Sequence, residues 1–186
     1  MNEEIQKAAE IIQSGGIILY PTDTVWGIGC DATNATAVQK IYDLKNRADS
    51  KSMICLVSDE RMLENYVETV PAPAYDILAY AVKPTTIIFD QPKGIATNLI
   101  AADNSLGIRI PDDDFCVKLI RRLRKPIVST SANISGHPTP KSFDEIDRNI
   151  LEGVEYIVNL HREKKSGSPS TIIKLKNNGE VKVIRN

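Results

Sequence analysis

Tyr20-Pro21-Thr22-Asp23-Thr24-Val25-Trp26-Gly27-Ile28-Gly29 follows directly on the apolar run Ile17-Ile18-Leu19. A short continuous apolar run reads as a buried strand, which puts the polar stretch at that strand's exit. The arrangement recurs where Pro126-Ile127-Val128 leads into Ser129-Thr130-Ser131-Ala132-Asn133-Ile134-Ser135-Gly136. Open α/β sheets bind ligands at strand ends, so both stretches are candidate binding loops. Threonine hydroxyls donate and accept hydrogen bonds, which suits a zwitterionic amino acid or a sugar hydroxyl. Gly27 and Gly29 permit close approach of the backbone. Two plainer readings stand beside these. Pro, Asp and Thr also build an ordinary strand-exit turn. The second stretch either caps a helix through its hydroxyls or forms a nest for an anion.

Between the two stretches lie Lys45, Arg47 and Lys51. An arginine offers forked donors to phosphate oxygens and a lysine offers compact charge, so the cluster can offset a triphosphate. Cations at the end of a helix are also favourable for the dipole alone. Placed at an exposed helix end, Lys45 and Arg47 are expected to matter little for folding, about 0.3–1 kcal/mol, and more for turnover. Arg109 interrupts the apolar pattern of Ser105-Leu106-Gly107-Ile108-Arg109-Ile110-Pro111. Alternation turns it either outward to solvent or into a cleft as a carboxylate clamp.

Composition narrows the classes. With 186 residues the chain is expected to form one domain over 1–186, and a net charge of −1 argues against a wholly basic nucleic-acid binder. No apolar run reaches membrane-spanning length, and Met1-Asn2-Glu3-Glu4 lacks a signal peptide's basic and apolar regions. The cytosol is the expected compartment. Cys30, Cys55 and Cys116 are widely spaced and form no CxxC pair, which excludes a disulfide framework or zinc knuckle. His137 and His161 are the only histidines, and no protein-held metal is expected. The phosphate-loop, dinucleotide-fingerprint and nucleophile-elbow motifs are missing, so nucleotide binding here needs another scaffold.

Periodicity predicts helices over 4–13, 35–45 (face Ala35, Val38, Ile41, Tyr42), one capped by Ser58, and one over 73–82. Asp112-Asp113-Asp114 and Arg121-Arg122 mark the ends of another, and Ser142-Phe143-Asp144-Glu145 matches a capping box before a short helix. Strands are expected at 17–20, 53–57, 86–89, 107–110, 155–158, 171–175 and 181–184, the last two joined through Asn177-Asn178-Gly179. Residues 162–169 read as a mobile loop. The product is an α/β fold with a mixed sheet.

Taken in order, these pieces resemble the YrdC-like threonylcarbamoyl-AMP synthases over nearly the whole chain. Tyr20–Gly29 resembles that family's YPTxTxxGxG segment, Lys45-Asn46-Arg47 its KxR element and Gly107–Pro111 its [AG]xRxP strand. Ser131-Ala132-Asn133 resembles its SxN element, Ser170-Thr171-Ile172-Ile173 its ST-hydrophobic strand, and Arg185 a late arginine. Ala48, Leu56 and Lys83-Pro84-Thr85 depart from residues found in relatives.

The resemblance implies a twisted mixed β-sheet flanked by helices around an open, positively lined cavity. It implies condensation of L-threonine, bicarbonate or CO2, and ATP with Mg²⁺ to threonylcarbamoyladenylate and pyrophosphate. By resemblance Lys45 and Arg47 are catalytic, and Thr24, Arg109, Ser129 and Ser170 bind threonine. Arg47, Lys51, Ser105, Ser131, Asn133, Thr139 and Arg185 bind ATP. The implied partner is a separate tRNA threonylcarbamoyltransferase complex, with at most weak contact to tRNA itself. The competing reading from another class is a non-catalytic RNA-binding module of the same fold.

Overall fold

The computed structural model describes residues 1–46 and 53–186. The chain runs α1 (Asn2–Gln13), β1 (Ile18–Tyr20), β2 (Gly27–Gly29), α2 (Ala35–Leu44), β3 (Ile54–Leu56), α3 (Glu60–Tyr66), α4 (Pro73–Tyr80) and β4 (Thr85–Asp90). It continues with β5 (Ser105–Arg109), α5 (Asp114–Leu123), β6 (Ile127–Ser131), α6 (Arg148–Gly153), β7 (Tyr156–Ile157), β8 (Thr171–Leu175) and β9 (Val181–Arg185). Among the described residues the strands form a nine-stranded sheet in the order β7-β1-β2-β6-β3-β5-β4-β8-β9. Pairing is parallel for β1–β7, β3–β5 and β4–β8 and antiparallel elsewhere, so the mixed α/β fold read from the sequence is what the chain forms.

Both faces of the central strands are covered, which explains apolar runs without polar alternation. Successive side chains point to opposite faces. Leu19, Cys55 and Val128 enter one core with Ala37, Val38, Ile41 and Tyr42 of α2. Their neighbours Ile18, Tyr20, Leu56 and Ile127 enter a second core. There they meet Ile5, Ala8, Ala9 and Ile12 of α1 and Phe115, Leu119 and Ile120 of α5. All three cysteines are buried and free. Burial pushes the Cys55 thiol up to about 12 and raises Cys30 and Cys116 as well. None therefore offers a thiolate near neutral pH.

Several local expectations need correction. Gly27-Ile28-Gly29 reads as loop but forms β2, paired with both β1 and β6. Ala35 is exposed and Ala37 takes its place on the buried face of α2. The cap of α3 is Asp59, which accepts from the Met62 amide at 2.9 Å, while the Ser58 hydroxyl supports Asp59 at 2.8 Å. The Met62 amide and that hydroxyl hold the Asp59 carboxyl below its ordinary value. Ser142 makes no side-chain cap, and Glu145 accepts from the Lys141 amide instead. The segment behaves as a single 3-10 turn, too short to need a capping box.

Gly29 shows why β2 carries glycine. A Cβ there would stand 2.5 Å from the Val128 carbonyl oxygen and 2.7 Å from Tyr20 Cε1. Both obstacles sit in neighbouring strands of a close-packed core and cannot withdraw cheaply. Gly29→Ala should therefore cost about 1–3 kcal/mol. Urea denaturation would register this as a lower midpoint at unchanged slope.

Candidate functional site

On the face shared with α1 and α5, β6 continues past the apolar cluster and becomes polar, β5 presents Arg109, and β3 between them contributes Ile54. Ile127 lies in the core, and two and four residues on, Ser129 and Ser131 line a cavity of about 250 Å³. Ile54, Arg109, Thr24, Gly27, Thr139, Ser170 and Arg185 complete much of its wall. Gly107 lies between, where a Cβ would stand 3.0 Å from Ile54 Cγ2 and 3.2 Å from Thr86 Cγ2.

Arg109 turns inward. It is only 2% exposed, and its Nη1 forms an ion pair with Asp23 Oδ1. The other oxygen of Asp23 accepts from the Asp112 amide at 3.2 Å, which joins the loop after β1 to the chain after β5. Arg109 Nη2 also donates to Thr24 Oγ1 at 3.4 Å. Its Nε is buried with no hydrogen-bond partner among the described residues. That N–H is thus an unsatisfied buried donor, and the guanidinium as a whole lines the cavity.

Ser170 and Arg185 line the same cavity. The Ser170 hydroxyl shares a hydrogen bond with Thr86 at 2.8 Å. Arg185 Nε and Nη2 both donate to the Ser170 carbonyl, at 3.0 and 2.8 Å. This fork fixes the turn into β8 and leaves other guanidinium donors over for an anion. Tyr20 lies in the adjoining apolar core, where burial raises its phenol well above the ordinary value while its hydroxyl donates to the Val128 carbonyl at 3.2 Å.

The four residues assigned to threonine by resemblance, Thr24, Arg109, Ser129 and Ser170, meet in this one cavity. Ser131, Thr139 and Arg185 of the ATP set line it too. Three others lie elsewhere. Ser105 shares the Arg109 face of β5, yet at the strand's far end, with its hydroxyl bonded to Asp103 at 2.6 Å. Asn133 folds its own loop, its amide donating to the Ile134 and His137 carbonyls at 3.1 and 2.8 Å. Lys45 is 1% exposed, not solvated at a helix end, and its Nζ donates to the Ser131 and Asn133 carbonyls. The Lys45 carbonyl in turn accepts from the Ser135 amide at 2.9 Å. Arg47 and Lys51 fall outside the described residues.

Two contributors went unassigned in the sequence. Asp23 carries no signal of its own, because the burial of Arg109 that calls for a carboxylate partner shows only in the fold. Thr86 gives no local signal and is recognisable only from its contact with Ser170. Residues 162–169, expected to be mobile, are tethered at Ser166, whose amide donates to the Lys141 carbonyl at 2.7 Å, and at Gly167, whose amide donates to the Thr24 carbonyl at 2.6 Å. Arg162 lies 4.6 Å from the Phe143 ring centroid, and Phe143 in turn packs 5.0 Å from Trp26. No group of three His, Cys, Asp or Glu among the described residues could hold a metal, and no helix there is long and apolar enough to cross a membrane.

The sequence and fold match a known family. The Sua5/YciO/YrdC family model, described as "Telomere recombination", covers residues 10–186, and the chain belongs to that family. A protein of Methanocaldococcus jannaschii is 36% identical, matching 97% of this chain and 86% of its own length. The threonylcarbamoyl-AMP synthase of Idiomarina loihiensis is 32% identical, matching 92% of this chain and 94% of its own. P. abyssi Sua5 complexed with L-threonine superposes with a TM-score of 0.82 at 25% identity. That match covers 94% of this chain and 52% of Sua5, so the chain spans about half the length of Sua5. The relatives named threonylcarbamoyl-AMP synthase are nucleotidyltransferase-type enzymes.

The position of Lys45 makes a direct prediction. Replacement by Met keeps the volume but removes two charge-assisted hydrogen bonds to part-buried carbonyls. Such a loss should cost about 3 kcal/mol, a melting temperature about 6–12 °C lower. Calorimetric melts of Lys45→Met against wild type measure it.

Proposed function

We propose that this chain condenses L-threonine, bicarbonate or CO2, and ATP to L-threonylcarbamoyladenylate and pyrophosphate, acting as one catalytic domain over 1–186. The observation that carries the reading is the convergence of Arg109, Thr24, Ser129 and Ser170 with Ser131, Thr139 and Arg185 in one cavity. The first group supplies a guanidinium and hydroxyls for an amino acid. The second supplies hydroxyls and a further guanidinium for phosphate and sugar.

The chemistry needs little else. The neutral amine of threonine attacks the CO2 carbon and loses a proton, giving a carbamate. A carbamate oxygen then attacks the α-phosphorus of ATP while the bond to the β,γ-pyrophosphate breaks. The carbamate is already anionic, so no side-chain base is required at phosphorus. Positioning and charge neutralisation carry such a transfer. Arg47 and Lys51 join Arg185 as the cations of the triphosphate. Lys45 acts through the loop whose carbonyls it holds. Mg²⁺ enters with the triphosphate and supplies further charge neutralisation, in keeping with a site built of hydroxyls and cations rather than carboxylates. The product is a reactive mixed anhydride, consumed by a separate tRNA threonylcarbamoyltransferase complex in the cytoplasm, with only weak contact between this chain and tRNA.

The test is pyrophosphate release with each component omitted in turn. Release should require L-threonine, bicarbonate, Mg²⁺ and ATP together. Serine should support it about 10–200-fold less well, the worth of one methyl contact. Release at an unchanged rate without threonine would refute the activity. Threonine-indifferent, steeply salt-sensitive RNA binding would favour an RNA-binding module instead.

A further inference from the structure

The protons around Thr22 can be placed one by one. Its hydroxyl lies 2.7 Å from the Val25 carbonyl oxygen, which has no proton to give, so Thr22 is the donor. Its two acceptor positions are filled by the Thr24 amide at 3.0 Å and by the Thr24 hydroxyl at 2.9 Å. Because the Thr22 proton is committed to Val25, the proton shared by the two hydroxyls belongs to Thr24. Thr24 Oγ1 meanwhile accepts from Arg109 Nη2 at 3.4 Å. One lone pair is left, and Thr24 lines the cavity. Thr22 and Thr24 are 8% and 6% exposed, so bulk water offers no easy exchange of partners.

We propose that Thr22 is a positioning residue that fixes Thr24 as a hydrogen-bond acceptor in the cavity, where it receives an N–H or O–H of the amino-acid substrate and turns away the carboxylate. The carboxylate is left to the donors that line the site, the guanidinium groups of Arg109 and Arg185 and the hydroxyls of Ser129 and Ser170. The threonine pair thereby sorts the two ends of a zwitterion without carrying charge. This inference rests on the proposed function, because it assumes that the cavity takes an amino acid.

Calorimetric binding separates the possibilities without relying on turnover. The proteins are wild type, Thr22→Val, Thr22→Ser and Thr24→Val. The ligands are L-threonine, 3-hydroxybutyrate (no amine), L-2-aminobutyrate (no hydroxyl), L-threoninol (no carboxylate) and ATP. Thr22→Val should weaken L-threonine about tenfold, the loss of roughly one hydrogen bond. ATP affinity should stay within about twofold and Thr22→Ser should recover most of the threonine affinity, which distinguishes positioning from a general structural defect.

In wild type, deleting the group that meets Thr24 carries a binding penalty. That penalty should shrink in Thr22→Val and vanish in Thr24→Val, while the penalty for deleting the carboxylate persists. Thr24→Val leaves Thr22 bonded to the Val25 carbonyl and the residue 24 amide, so this arm stands even if Thr22→Val folds poorly. Collapse of the amine penalty assigns the ammonium to Thr24, and collapse of the hydroxyl penalty assigns the side-chain hydroxyl. Collapse of the carboxylate penalty, or unchanged threonine binding in a folded Thr22→Val, overturns the inference. Wild type that binds no L-threonine overturns both this inference and the proposed function. Threonine binding without pyrophosphate release overturns only the activity.

Discussion

A buried guanidinium must be answered by a carboxylate, and the pairing of Arg109 with Asp23 governs how the polar half of this molecule is arranged. Side-chain exposures of 2% and 8% put both charges out of water, where either alone would be costly. Arg109 ends β5, whereas Asp23 belongs to the loop joining β1 to β2, and β6 and β3 stand between those strands in the sheet. The ion pair therefore ties together segments that share no ladder. Asp23 also accepts from the Asp112 amide, so the loop after β5 is drawn to the same point. Thr24 then has one place to go, beside Nη2 of Arg109, with Thr22 beneath it.

The rest of the cavity follows from ordinary sheet geometry. The alternation that buries Ile127 under the helices brings Ser129 and Ser131 to the same face further along β6. Lys45 steadies the far end of that strand by gripping the carbonyls of Ser131 and Asn133. Arg185 does the same for Ser170 from the edge strand β9. Lys45 and Arg185 thus hold backbone oxygens, Arg109 holds a carboxylate, and both arginines line the cavity. A site assembled this way is pre-organised before any ligand arrives, which is what a positioning-dominated transfer requires.

Much of this was legible in the sequence, for physical reasons that differ by residue. α1, β1 and α5 depend on near-neighbour periodicity and caps, and they stand where the pattern puts them. β6 instead runs on through Ser129–Ser131, which read as the turn after the strand but are paired with β2 and β3. β2 was not legible, because Gly27-Ile28-Gly29 lacks strand propensity and owes its state to ladders with β1 and β6. Strand-end position identified Thr24, Ser129 and Ser131 as site residues. For Arg109, alternation left two directions open, and only the tertiary pairing with Asp23 decides between them. Lys45 was misread because its environment is made by a loop more than eighty residues away in the chain. Ser105 holds a family-like ATP position in sequence, but strand length separates it from the Arg109 end of β5.

The central claim is that Arg109 and Asp23 act as one unit. A double-mutant cycle with Asp23→Ala and Arg109→Ala, read as unfolding free energy, tests it most directly. Each single variant should lose about 3–5 kcal/mol, since each strands a buried charge. The double variant should lose less than the sum by at least about 2 kcal/mol, because the second removal relieves the first. Additive losses would mean that the two residues are independent, and would contradict the account.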